Sequence, residues 1–248
     1  MSGHSKWSTI KRKKGKADAE RGKIFTRLIK DITVAARNGG GDETANPRLR
    51  SAVAAAKSAN MPSTNIERAI KKGTGELPGV IYEEGTLEGY GPAGVALYIE
   101  ILTDNRNRTV ADVRHSLTKY GGNLAESGAV AWMFEKKGLI TVPSEGLDEE
   151  AILMAVMEAG AEDLKSEEGF FEIVSSTEDL VKVKETLESS GIKYDSANLT
   201  MYPKNTIKVE GNHAESLLKI LDALEDLDDV QNVYSNFDID MSVLESME

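Results

Sequence analysis

At 248 residues, with 40% apolar and 29% charged side chains, the chain has the make-up of a soluble protein of two or three small domains. It has no cysteine, which excludes a disulfide framework and thiolate metal sites, and it has no apolar run of the 18 or more residues that a bilayer-spanning helix needs. The net charge of −11 hides a polarity, because residues 1–72 hold 17 Lys and Arg against 6 Asp and Glu, whereas the remainder holds 13 against 35. A basic first third suited to a polyanion is therefore joined to an acidic body that repels one. The lysine-rich start has no apolar segment behind it, so a secretory leader is not expected and a cytoplasmic location is.

Residues 2–16 are polar and basic, with His4, Lys6, Trp7, Lys11, Arg12, Lys13, Lys14 and Lys16 among them. Such a stretch cannot bury enough surface to fold alone, and it reads as an arm that orders on a partner. A helix follows, in which Ile24, Phe25, Leu28, Ile29 and Ile32 recur at helical spacing and Lys23, Arg27 and Lys30 lie outside the stripe. Asn38 and glycines 39–41 end it. Asn46-Pro47 offers an N-cap and a first-turn proline for a second helix with Leu49, Val53 and Ala56 on one face. Thr64 and Glu67 have capping-box spacing and open a third helix, with Ile66 and Ile70 inward and Gly73 as its stop. Residues 1–78 thus read as a basic arm on a three-helix bundle.

Residues 73–94 contain seven glycines, Pro78 and Pro92, and read as a linker. Beyond it, a strand over 95–102, a helix over 106–120 and a strand over 129–134 make a β-α-β unit. Strands over 139–142, 162–165, 170–174 and 192–200, with helices over 148–159 and 178–189, give the order β-α-β-β-α-β of a ferredoxin-like sandwich. A final β-α-β occupies 206–209, 214–227 and 230–237. Neither outer β-α-β can cover its own sheet, so pairing them is economical. The expected fold is multi-domain α+β: the helical bundle with its basic arm, then two ferredoxin-like α/β sandwich domains, one inserted in the other. Their expected bounds are 79–134 plus 202–248 for the outer domain and 135–201 for the inserted one.

The candidate nucleic-acid contacts are His4, Lys6, Trp7, Lys11, Arg12, Lys13, Lys14, Lys16, Arg21, Lys23 and Arg27, because clustered cations displace counterions from phosphates. Trp7 either stacks on an unpaired base or anchors the arm to the bundle. Between the strand at 95–102 and the next helix, Arg106, Asn107 and Arg108 form a candidate second contact for an anion or a partner. Ion pairing of these arginines with the acidic body is the plainer alternative. Gly89-Tyr90-Gly91-Pro92-Ala93-Gly94 precedes a strand and opens no helix, so it reads as a demanding tight turn and not as a phosphate loop. Catalytic machinery is not evident: His4, His115 and His213 are scattered, and no nucleophile elbow, Walker loop or dinucleotide fingerprint occurs. The acidic runs 148–150 and 225–229 look like solvated helix termini. No enzymatic activity, cofactor or metal is expected.

Ser2-Gly3-His4-Ser5-Lys6-Trp7, Arg21-Gly22-Lys23-Ile24-Phe25-Thr26, Asn46-Pro47-Arg48-Leu49-Arg50, Gly89-Tyr90-Gly91-Pro92 and Leu102-Thr103-Asp104-Asn105-Arg106-Asn107-Arg108-Thr109-Val110 resemble the signature blocks of the YebC/PmpR family. Ala93 stands where the family's turn motif has glycine. The resemblance implies a cytoplasmic protein with a helical N-terminal domain and two α/β domains. It also implies a transcriptional regulator that binds promoter DNA, within a family that includes a mitochondrial translational activator and members tied to the ribosome. Three readings follow. The first is a DNA-binding transcriptional regulator whose acidic domains meet other proteins. The second is a ribosome-associated translation factor that binds rRNA. The third is a protein-interaction module whose basic arm pairs with its own acidic body. No recognition helix or clear helix-turn-helix is evident in the sequence, which favours phosphate- and shape-based binding.

Overall fold

The computed structural model describes residues 19–167 and 169–240, the first three of these by backbone alone. The helical unit consists of α1 (Ala19–Gly39), α2 (Pro47–Ser58) and α3 (Ser63–Thr74). Ile32, Ala35 and Ala36 of α1 pack on Leu49, Val53 and Ala56 of α2 and on Ile66 and Ala69 of α3. Each large aliphatic side chain fully buried there contributes about 2 kcal/mol. Asn46 caps α2 as its position suggests, accepting from the Leu49 N–H at 3.1 Å and donating to the Ala35 and Gly40 carbonyls.

Two expectations for α3 are corrected. Its N-cap is Pro62 and no side chain caps it, so the Thr64–Glu67 spacing forms no capping box. Gly73 lies inside the helix, which runs on to Thr74 and is closed by the left-handed Gly75. A Cβ on Gly73 would sit 2.4 Å from the Thr33 carbonyl oxygen. That glycine marks a close approach of α3 to α1, not a stop.

The segment read as a linker contains β1 (Glu83–Tyr90), which pairs antiparallel with β2 (Ala96–Thr103). Its first half is mostly exposed, which removes the alternation that reveals strands. The turn between them holds Ala93 at φ 59 and ψ 16. A side chain in this left-handed region is disfavoured by roughly 1–2 kcal/mol, which explains why glycine suits the position. After β2 come α4 (Arg106–Lys119) and the two-residue β3 (Asn123–Leu124). β9 (Val230–Ser235), which follows α7 (Gly211–Glu225), completes an antiparallel sheet in the order β3-β1-β2-β9. Leu97, Ile99 and Ile101 of that sheet bury against Val113 and Leu117 of α4 and Leu217, Ile220 and Leu221 of α7.

A second antiparallel sheet holds β4 (Phe134–Pro143), β5 (Ala161–Glu167), β6 (Phe170–Ser175) and β7 (Ser196–Pro203) in the order β5-β6-β4-β7. Helices α5 (Glu149–Glu158) and α6 (Leu180–Ser189) cover it through Ile152, Val156, Val183 and Leu187. Residues 129–134 and 139–142, expected as two strands, are a turn followed by the single long β4. The Glu88 carboxylate, buried on β1, accepts the N–H groups of Gly128, Val130 and Ala131 at 2.6–2.9 Å and so holds that turn out of any ladder. The tail segment near 206–209 supplies only β8 (Ile207–Lys208), which pairs in parallel with β10 (Phe237–Asp238) and not with either larger sheet.

Candidate nucleic-acid interface

Lys23, Arg27 and Lys30 recur at i, i+4 and i+7 along α1, which puts them on one face. That face meets the acidic segment following α7. The Lys23 ammonium pairs with Asp226 at 2.6 Å, and the Arg27 guanidinium donates to the Glu225 carbonyl. The Lys30 ammonium, with only 8% of its side chain exposed, donates to the Asp229 carboxylate at 2.7 Å and the Asp228 carbonyl at 2.8 Å. Burial lowers the Arg27 pKa, against the opposing effect of Glu225, Asp228, Asp226 and Asp31. The run 225–229 is therefore a grip on α1 and not a solvated terminus.

Asp229 is the centre of this joint. It also accepts the Thr103 hydroxyl at 3.1 Å, the Thr109 hydroxyl at 2.8 Å and the Arg108 guanidinium at 2.6 Å. Burial alone would raise its pKa, but hydrogen bonds from Arg108, Lys30 and Thr109 and the Lys30 charge reverse that and bring it to about 2. Arg108 pairs with Asp104 at 2.7 Å as well. The ion-pairing alternative for the arginines thus describes Arg108. Arg106 and Asn107 are exposed, and the Arg106 guanidinium lies across β1 at Gly85. The adjoining cleft of about 520 Å³ is lined by Asp104, Asp112, Asp226, Asp228 and Asp229 against Lys30 and Arg108. Its carboxylate excess disfavours a phosphate.

The cations of α2 and α3 are oriented differently. The inward residues of both helices pack on α1, which turns Arg50, Ala54 and Lys57 of α2 and Thr64, Arg68 and Lys71 of α3 outward, each set at i, i+4 and i+7. Arg68 and Lys71 are exposed, and their side chains have no hydrogen-bonding or ion-pair partner among the described residues. Arg50 is exposed and its guanidinium hydrogen-bonds the carbonyls of Glu43 and Thr44, and Lys57 meets Glu43 at 3.8 Å, a surface pair of little worth. Arg48 is the exception, since it spans to Glu84 on β1 and helps fix the helical unit to the sheet. Residues 59–62 join the two twelve-residue helices, with Asn60 at φ 59.

Of the residues proposed from sequence, His4, Lys6, Trp7, Lys11, Arg12, Lys13, Lys14 and Lys16 lie outside the described residues, as does the side chain of Arg21. Lys23 and Arg27 are brought together with carboxylates and carbonyls of the acidic body. Arg50, Lys57, Arg68 and Lys71 were not singled out, although their helical spacing opposite the apolar stripes carried the signal. Among the described residues, no group of three or more His, Asp or Glu is placed to hold a metal, and no helix is long and apolar enough to cross a membrane.

The TACO1/YebC protein N-terminal domain matches residues 5–76, and the TACO1/YebC second and third domain matches residues 82–237. A protein of Desulforapulum autotrophicum named "Probable transcriptional regulatory protein" is 58% identical over 247 residues, covering 100% of both chains. One of the same name from Geotalea uraniireducens is 57% identical at the same coverage, and one from Syntrophotalea carbinolica is 60% identical over 96% of each chain. A crystal structure of a conserved hypothetical protein from Aquifex aeolicus is similar with a TM-score of 0.78 and 50% identity, over 90% of this chain and 92% of that one. With both family domains matched in tandem and relatives alike over their full length, the chain belongs to the TACO1/YebC family.

Proposed function

We propose that this protein is a non-enzymatic regulator of gene expression that binds duplex DNA through the basic arm and the outer face of α2 and α3. The observation that carries this reading is the outward row of Arg50, Lys57, Arg68 and Lys71 on two helices whose other faces are buried on α1. Those cations can neutralise phosphates without first breaking strong internal pairs. Residues 59–62 join α2 to α3 and leave Thr64, Glu67 and Arg68 exposed in the first turns of α3, the part of a helix that reaches base edges when a helix enters a major groove. The names of the curated relatives agree with a role in transcription.

A second reading, binding to rRNA on the ribosome, draws on the same cations, since phosphate contacts do not distinguish the two polymers. Binding of the full chain to promoter fragments and co-sedimentation with ribosomes, over the same salt series, separates the two. DNA binding that depends on sequence and persists at salt where ribosome association is lost is the expected result. Ribosome association that outlasts DNA binding would replace the first reading with the second. Absence of both at low salt would leave the self-paired interaction module.

A further inference from the structure

Among the described residues, four of the ten large apolar side chains that stand exposed belong to the two helices of the second sheet: Leu153, Met154 and Met157 on α5 and Val181 on α6. Met154 is 68% exposed and Val181 is 61% exposed. The first turn of α6 abuts the end of α5, since a Cβ on Gly160 would lie 2.9 Å from the Asp179 carboxyl carbon. The start of α6, with Val181 in its first turn, therefore lies near the Met157 end of α5. Along α5, Glu150 stands one turn before Met154 and Glu158 one turn after it, both exposed. Asp148 and Glu149 add charge at the start of the helix. Between Lys137 and Lys165 the chain has seven carboxylates and no Lys or Arg, so this strip is bounded by negative charge on its own element. Lys182 and Lys184 lie on α6, where Lys184 is taken up by Glu188 and Tyr194.

We infer that the outer face of α5, with Val181, docks a basic amphipathic segment of a partner protein, its apolar side seated on Leu153, Met154 and Met157 and its Lys or Arg residues meeting Glu150 and Glu158. Methionine side chains adapt to differently shaped apolar partners, which suits a helix or strand of variable sequence. The charge chooses among occupants. A second copy docked through the same face would set these carboxylates against their own equivalents, and nucleic acid would set phosphates against them. A cationic amphipathic segment satisfies both the apolar strip and its rim.

The test uses the full chain and a synthetic fourteen-residue Leu/Lys peptide with helical amphipathicity, beside a scrambled peptide of identical composition. With methionine methyl groups isotopically labelled, the amphipathic peptide is expected to shift the NMR signals of Met154 and Met157 and leave those of Met61 and Met133 unmoved. Removing the apolar contact with M154Q/M157Q, whose exposed positions leave the core intact, is expected to weaken the peptide about tenfold or more, as loss of two partly buried side chains implies. Equal affinity for the scrambled peptide, or unchanged affinity in M154Q/M157Q, would overturn the inference by reducing the binding to net charge. Binding that tightens tenfold once residues 1–16 are removed would also overturn it, in favour of the chain's own arm as the occupant.

Discussion

Lys23, Arg27 and Lys30 on α1 and Arg50, Lys57, Arg68 and Lys71 on α2 and α3 stand in the same relation to an apolar stripe. The first set nevertheless faces carboxylates and carbonyls of the acidic body, and the second faces solvent. Cation density in the first third is suited to an anionic surface. For α1 that surface is the chain itself, because the segment 225–229 returns to it from the far end of the sequence. A lysine buried on Asp229 fixes the helical unit to the sheet, and an arginine left in water remains available to a ligand. On the proposed function, the same charge serves cohesion in one place and recognition in the other.

Removing Asp229 breaks this contrast most severely. D229A leaves the Lys30 ammonium buried without its anion and deprives Arg108, Thr103 and Thr109 of a shared acceptor. A destabilisation of about 3 kcal/mol is expected, read as a lower urea midpoint, because an uncompensated buried charge costs that much. A midpoint equal to wild type would mean that the joint is not held through Asp229. In the intact protein this carboxylate, ionised down to about pH 2, contributes stability that is present above pH 4 and declines as the pH falls from 4 towards 2.

A smaller effect belongs to Asp31, also on α1 and one turn beyond Arg27. Burial raises its pKa to about 6; Arg48 of α2 opposes that rise, while Glu84 of β1 and Glu100 of β2 add to it. Folded Asp31 therefore binds more protons than unfolded Asp31 between about pH 4 and 6, and stability declines as the pH rises through that window. D31N is expected to flatten this slope and to stabilise the protein by about 1 kcal/mol at pH 7, in urea titrations at pH 4.5 and pH 7. An unchanged slope would show that water reaches the carboxylate. The result would sharpen the comparison, since it asks whether α1, which accommodates cations well, tolerates a buried anion poorly.

The helices of the bundle were legible in the sequence because their apolar residues recur at helical spacing and Asn46-Pro47 marks a start. The β-α-β-β-α-β order over β4 to β7 was legible for the same reason. β1 was not, because Gly85, Gly89 and an exposed first half leave no alternation to detect. The turn at 128–131 was hidden as well, since it depends on a carboxylate some 40 residues earlier in the chain, Glu88. For the site, the stripe of cations on α1 was visible, but what covers it is a contact between residues about 200 positions apart. No local pattern records such a pairing. The outward rows on α2 and α3 were recorded in local spacing, but they are sparser in charge than the arm and carry no pattern that separates a ligand face from a solvated one.

The most direct measurement compares salt dependence of duplex DNA binding for the full chain, for R68Q/K71Q and for K23Q/R27Q, with circular dichroism to verify folding. Each phosphate contact contributes about 0.9 to the slope of log affinity against log salt. Loss of Arg68 and Lys71 is expected to reduce the slope by nearly 2, while loss of Lys23 and Arg27 leaves it unchanged. A reduced slope in K23Q/R27Q with an unaltered slope in R68Q/K71Q would contradict the account.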